Sequence, residues 1–196
     1  MIVASSDALE KTKENEKHIN NIQEEASRMS VLISKLLDLV STEKVEKELF
    51  VEGNLSKTIE LSALTFEGRA LACNNILKID ISQNVNFKYN ENDIKQLVEI
   101  LLDNAIKYAS NGTDITLNLH KEGRQIVLEV VNVGEAIQPG EEEKIFDRFY
   151  RVDKVRNSKD NSYGLGLAIA KNIVSNHGGK ISAKSHDGKT KFSVVF

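Results

Sequence analysis

The chain of 196 residues holds one cysteine, one proline and no tryptophan, and each shortage removes a class of answer. A single thiol, Cys73, excludes an internal disulfide and a cysteine-rich zinc site, and fits a reducing compartment. The four histidines, His18, His120, His177 and His186, fall at no metal-ligand spacing. With Pro139 as the only proline, little interrupts the backbone, so long regular elements are expected. No run approaches the ~18 uninterrupted apolar residues of a membrane span. The opening MIVASSDALEK lacks the basic start and apolar middle of a signal peptide, and a cytoplasmic location is expected. A net charge of −3 argues against a broad nucleic-acid surface. What remains, 40% apolar and 28% charged, is the composition of a globular protein, and the length suits one domain with an appendage or two small domains.

The most informative stretch is Gln96 to Ser110, QLVEILLDNAIKYAS. At about 100° per residue, Ile94, Leu97, Val98, Leu101, Leu102, Ala105 and Ala109 share one side of a helix, and Glu99, Asp103 and Ser110 point away. Asn104 sits at the flank of the apolar arc. A carboxamide buried there without a partner costs about 1–3 kcal/mol. Two readings stay open: a core Asn bonded to neighbouring backbone, or an Asn at a pocket edge with Lys107 one turn on.

Earlier in the chain, Ile19, Ile22, Ala26, Met29, Ile33, Leu36 and Val40 alternate three- and four-residue spacings, a heptad seam. Val31, Leu32, Leu37 and Leu39 widen it to the stripe of a helix bundle. Extended back to about Ser5, the helix is roughly 55 Å long. Its stripe needs a partner, either the chain's own domain or another helix, and the reading favoured here is an oligomerising helix. STEKVEK, residues 41 to 47, is charged and reads as a link.

The remainder is predicted in order as follows. Glu48 to Glu52 forms a short strand, and Asn54 or Ser56 caps a helix running to about Cys73. Strands follow over Ile76–Ile81 and Val85–Tyr89, and Asn90 caps the central helix. After the Asn111-Gly112 turn come strands Asp114–His120 and Gln125–Val131, joined at Glu122-Gly123. Gly140 to Tyr150 reads as a short helix, Asp153 to Ser162 as a polar loop, and Tyr163 to His177 as a helix stopped by Gly178-Gly179. Strands Lys180–Ser185 and Thr190–Phe196 meet at Asp187-Gly188. The pattern is an α+β two-layer sandwich: helices on one face of a mixed, mainly antiparallel sheet, preceded by the long N-terminal helix.

Three stretches carry chemistry. Asn132-Val133-Gly134 ends a strand, where a glycine lets backbone approach a ligand or simply makes a turn. Gly164-Leu165-Gly166-Leu167-Ala168 opens a helix with two glycines, each costing helix stability up to ~1 kcal/mol. The free N–H groups there attract phosphate, or the glycines merely form a cap. The pattern matches neither the Walker loop nor the dinucleotide fingerprint. Between these lie Arg148, Arg151, Lys154, Arg156 and Lys159 beside Phe146, Phe149 and Tyr150: a solvated basic face, or a lid whose cations reach a polyphosphate.

Taken together, ILLDNAIKYAS, VNVGEAI, IFDRFYRVDKVRN and YGLGLAIAKNIVSNHGG resemble, in order, the Asn-rich helix, first glycine box, Phe-containing lid and second glycine box of bacterial sensor histidine kinases. HINNIQEEASRMSVLISKLLDLV is similar to the second helix of that family's dimerisation and phosphotransfer hairpin. The resemblance implies a partial dimerisation helix over 1–43, a linker over 44–50 and an ATP-binding catalytic domain over 51–196, with ATP and Mg²⁺ as cofactors. It implies Asn104 as the Mg²⁺ ligand, and Lys107 and Tyr108 at phosphate or ribose. Asn132 would read adenine, with Gly134 and Ile137 beside the ring and Thr190 at the same end. Gly164, Leu165, Gly166 and Leu167 would form the phosphate-facing helix start. Tyr150 would line the site, and Arg148 or Arg151 would face the γ-phosphate. The implied partners are an acceptor hairpin, a response regulator and a second copy of the chain through residues 19–40, in a parent protein anchored to the plasma membrane.

The departures are Ile100 where the family often has Asn, Asn132 where it usually has Asp, and Ala136 for the second glycine of the first box. The acceptor motif, a His followed by an acidic residue and soon a proline, is also missing, since His18 precedes Ile19-Asn20-Asn21. The expectation is therefore a truncated or natural fragment that phosphorylates a histidine elsewhere. A module that binds nucleotide without transfer is the alternative. An ATP hydrolase is disfavoured, because Ile100 offers no carboxylate base.

Overall fold

The computed structural model describes residues 13–43, 49–151 and 163–196. Helix α1, Lys13–Glu43, carries ion pairs from Arg28 to Glu24 and Glu25 on its outer surface. Its apolar stripe divides. Leu32, Leu36 and Leu39 pack against the core of the following domain, whereas Ile22, Met29, Ile33, Leu37 and Val40 stay exposed. One flank therefore folds back on the chain's own domain, and the other has no cover among the described residues. The helix continues through residues 41–43, the start of the expected link, and residues 44–48 lie outside the described residues.

Strand β1, Val51–Asn54, pairs antiparallel with β3, Asn86–Tyr89, as a separate two-stranded sheet. Asn54 closes it by capping α2, Leu55–Leu64, accepting from Lys57 N at 3.1 Å. One helix is predicted to Cys73, but the structure breaks it. Thr65 Oγ1 donates to the Ser62 carbonyl at 2.7 Å, Phe66 turns into the core, and α3 restarts at Glu67–Ala72. A hydroxyl competing for backbone explains the break.

The main sheet has the order β2-β4-β5-β7-β6, from β2 (Ile76–Ile81), β4 (Asp114–Glu122), β5 (Gln125–Val133), β6 (Lys180–His186) and β7 (Lys189–Val195). Only β2 and β4 are parallel, because the crossover between them carries β3 and helix α4, Glu91–Tyr108. One face is built by period-2 alternation: Ile115, Leu117 and Leu119 on β4, Ile126, Leu128 and Val130 on β5, Phe192 and Val194 on β7. Against it lie Ile94, Leu97, Val98, Leu101, Leu102 and Ala105 of α4, as the helical arc predicts. Ile59 and Ala63 of α2 and Ile169, Ala170, Ile173 and Val174 of α5 (Gly166–Asn176) complete the core.

Two local predictions change. The short helix over 140–150 is a single 3-10 turn, Lys144–Phe146. Asp147 is already extended, and Phe146 drops into the core edge-on to Phe192, ring centres 6.4 Å apart. Helix α5 starts at Gly166, not Tyr163, because Gly164 holds φ at +67°. The predicted loop over 153–162, with Lys154, Arg156 and Lys159, lies outside the described residues.

Candidate functional site

The C-terminal half of α4, the ends of β5 and β7, the segment after β5 and the start of α5 enclose a cavity of about 770 Å³. Its walls follow from local rules. Helix α4 has its apolar arc against the sheet, so the flank position Asn104 and the next turn, Lys107 and Tyr108, fall on the cavity side. Asn104 Nδ2 donates back to the Ile100 carbonyl at 3.3 Å. The amide nitrogen is thereby engaged by the helix itself, which leaves the oxygen as the group to offer a ligand. Both open readings of this residue hold together: it is half-buried and bonded to backbone, and it lines the cavity. Lys107 Nζ lies 5.3 Å from the centre of the Tyr108 ring.

Asn132 lines the cavity from β5 at 1% exposure, and its Nδ2 has no hydrogen-bond partner. Its antiparallel neighbour Thr190 donates to the Glu135 carbonyl at 3.3 Å and is 2.7 Å from Ser185 Oγ. Ser185 in turn accepts from Ile137 N at 2.9 Å. This chain of bonds fixes Ile137 at the mouth, while the buried Asn132 amide is left for a ligand. Such an orphan costs about 1–3 kcal/mol in an empty site.

The glycines separate by job. A Cβ on Gly134 would sit 1.9 Å from the Tyr108 carbonyl, so this glycine admits the end of α4. It lies outside the cavity wall, and the close approach that the sequence suggests is to the chain's own backbone. Gly164 faces the cavity, but a Cβ there would meet the Tyr150 carbonyl at 2.6 Å. Gly166 is the open one: its Cβ direction meets only an Ile100 methyl at 3.5 Å. Its N–H and that of Leu167 begin α5, where helix N–H groups lack internal partners. Leu165, at 1% exposure, is core and not wall.

Tyr150 and Arg151 line the cavity, and Arg148 does not. Of the predicted residues the structure thus gathers Asn104, Lys107, Tyr108, Asn132, Ile137, Tyr150, Arg151, Gly164, Gly166, Leu167 and Thr190. It leaves out Gly134, Leu165 and Arg148. Sequence reasoning missed Asn75, Asn111 and Tyr163. Asn75 is buried with its Nδ2 on the Ser110 and Thr113 carbonyls, pinning the turn after α4. Only Tyr163 had a signal, as the residue that opens the second glycine box.

An incoming cation fits this wall in one way. Among the described residues no cluster of His, Cys, Asp and Glu could hold a metal ion. Asn104 offers an oxygen whose amide nitrogen is already held by the helix, the kind of single ligand Mg²⁺ accepts when phosphates supply others. Groups whose pKa burial perturbs lie elsewhere: His177 is lowered and Asp93 raised, both chiefly by desolvation.

Comparison with known proteins places the chain in a family. Residues 89–196 match the family described as histidine kinase-, DNA gyrase B- and HSP90-like ATPase. The chain is 32% identical over 185 residues to the signal transduction histidine-protein kinase ArlS of Staphylococcus haemolyticus, covering 92% of this chain and 40% of that one. It is 32% identical over 194 residues to the sensor protein DltS of Streptococcus agalactiae, covering 98% and 49%. The chain therefore spans less than half the length of these relatives. The catalytic domain of histidine kinase ThkA superposes with a TM-score of 0.66 at 25% identity, over 75% of this chain and 94% of that one. ThkA in complex with response regulator TrrA shares the fold, TM-score 0.70 at 23% identity, over 96% and 52%.

Proposed function

Because this chain belongs to the histidine kinase-, DNA gyrase B- and HSP90-like ATPases, as the ATPase domain of a sensor histidine kinase, we propose that it binds Mg·ATP in the cavity and passes the γ-phosphoryl to a histidine. The observation that carries this is the juxtaposition of Asn104 and Lys107 with the open helix start at Gly166 across one cavity. In this reading Asn104 Oδ1 holds Mg²⁺, whose charge, when bound, offsets that of the phosphates. Lys107 and Tyr108 contact phosphate or ribose. The N–H groups of Gly166 and Leu167 receive phosphate oxygens. Asn132 and Thr190 meet the base, and Ile137 packs on it. Arg151, which lines the cavity, faces the γ-phosphate in preference to Arg148. Catalysis is then positioning and charge stabilisation.

In this reading the acceptor is not one of the chain's own histidines, since none of the four carries the acceptor motif of a His followed by an acidic residue and soon a proline. His177 is moreover buried, with Nδ1 on the Ile173 carbonyl and Nε2 on Asn90 N. The partners of this reading are a histidine-bearing hairpin, a response regulator, and a second copy meeting the free flank of α1. The alternative, binding without transfer, draws on Ile100, whose methyl sits opposite Gly166 and offers no polar group.

Asn104→Ala tests the site. Calorimetry should show Mg²⁺-dependent affinity for ATP lost, the circular dichroism unchanged, and transfer to a supplied acceptor hairpin abolished. Equal Mg·ATP binding by the two proteins would end the assignment, and binding without transfer by the wild type would favour the alternative.

A further inference from the structure

Tyr163 stands in the cavity wall, and its hydroxyl donates to the backbone carbonyl of Arg28 at 2.6 Å. That carbonyl lies inside α1, where helix geometry already engages it with the N–H of Leu32. The tyrosine therefore adds a lateral bond to a group that needs none. Leu32 packs against the core, as do Leu36 and Leu39 in the next turns. Beyond them Asn176 Nδ2 donates to the Thr42 carbonyl at 2.6 Å. Both series of partners advance together, so α1 and α5 run parallel, with a polar bond at each end. Only the Tyr163 bond touches the cavity.

Gly164 determines how Tyr163 can move. Its Cβ direction is filled by the Tyr150 carbonyl and the Phe149 backbone, and its own carbonyl accepts from Phe149 N at 2.9 Å. Residues 149–151 and 163–164 therefore shift as one piece. Arg151 belongs to that piece and lines the cavity, so a polyphosphate that attracts Arg151 draws Tyr163 the same way. Among the described residues none of α1 lines the cavity, so this motion is away from Arg28.

We propose that Tyr163 is a latch through which nucleotide in the cavity competes with docking of the N-terminal half of α1. The latch rests on the nucleotide-binding reading above. Without nucleotide the protein holds α1 along α5. With nucleotide it frees the Arg28 end, while Asn176 keeps the Thr42 end in place.

Hydrogen exchange on the whole chain tests this, with a non-hydrolysable ATP analogue and Mg²⁺ as the probe. Binding should speed exchange of α1 amides around Arg28 and Leu32 about fivefold, the factor carried by one hydrogen bond of ordinary strength, and leave the Thr42 end unchanged. Tyr163→Phe keeps the ring and should show the faster exchange without nucleotide and no further response to it. Linked equilibria are reciprocal. Leu32→Ala, which loosens α1 at a residue that does not line the cavity, should therefore tighten analogue binding by a similar factor in calorimetry. Exchange that is unchanged or slowed by the analogue overturns the latch, as does wild-type affinity in Leu32→Ala. If the analogue does not bind the wild-type chain, the proposed function fails with it; if it binds and α1 is silent, only the latch fails.

Discussion

Asn132 concentrates the chemistry of the site in one side chain. A carboxylate in its place would only accept, which suits the amino group of adenine and repels the carbonyl of guanine. The carboxamide can accept from adenine without charge assistance, or turn and donate to guanine. At 1% exposure, with an unpartnered Nδ2, it has every reason to use the ligand. Asn132→Asp is expected to favour ATP over GTP by about tenfold more than the wild type, equivalent to about 1.4 kcal/mol. Affinities of both nucleotides for both proteins check this, and an unchanged ratio would show that residue 132 does not read the base. At the same scale, the glycines illustrate what a motif hides: Gly134 and Gly164 are demanded by carbonyls of the chain itself, whereas at Gly166 a Cβ would meet only an Ile100 methyl at ordinary contact distance.

At the scale of elements, His177 joins the two helices that build the cavity. It caps the end of α5, donates through Nδ1 to the Ile173 carbonyl at 2.7 Å and accepts through Nε2 from Asn90 N at 3.1 Å. Asn90 is the cap of α4, so one neutral ring ties both helix ends amid Phe50, Phe87 and Phe196. Burial lowers its pKa from 6.5, against the opposing pull of the Ile173 carbonyl and Asp93. Between the folded and unfolded values the unfolded chain holds more protons, so stability rises with pH there. The contribution is complete above about 6.5 and is lost as pH falls through the folded value. Asp93, raised from 3.8 by burial, acts with the opposite sign in a lower window, stability falling as pH rises there. Denaturant melts from pH 7 to 5 should show the loss, and His177→Gln should flatten it. A wild-type profile level over that range would contradict the tie.

For the whole molecule, the open question is the free flank of α1. Ile33 is 56% exposed and Leu37 64%, beside residues that pack on the domain. A flank this apolar along a helix calls for a cover, and a second α1 supplies the matching heptads. Sedimentation should find a dimer, and Ile33→Glu should dissociate it without unfolding the domain, because Ile33 lies off the face that meets α5. A wild-type chain that sediments as a monomer at high concentration would count against this.

Much of the molecule is determined by sequence alone, for reasons of period and chemistry. The arc of α4, the alternation of β4 and β5, and the Asp187-Gly188 turn, with φ of +51° and +70°, depend on neighbours a few residues apart. Asn104 and the helix start at Gly166 could be singled out because their residue types are costly where their patterns put them, whereas Asn132 is named by the family resemblance. Tertiary structure decided the rest. The 3-10 turn that seats Phe146 on Phe192 and the bond from Tyr163 to Arg28 join positions with no periodic relation, and the exclusion of Arg148 and Leu165 from the wall follows from the same long-range packing. Local propensities differ by tenths of a kcal/mol per residue, whereas burying one aromatic ring or satisfying one buried polar group is worth one or more. Where the two disagree, packing prevails, and packing is a property of the folded whole.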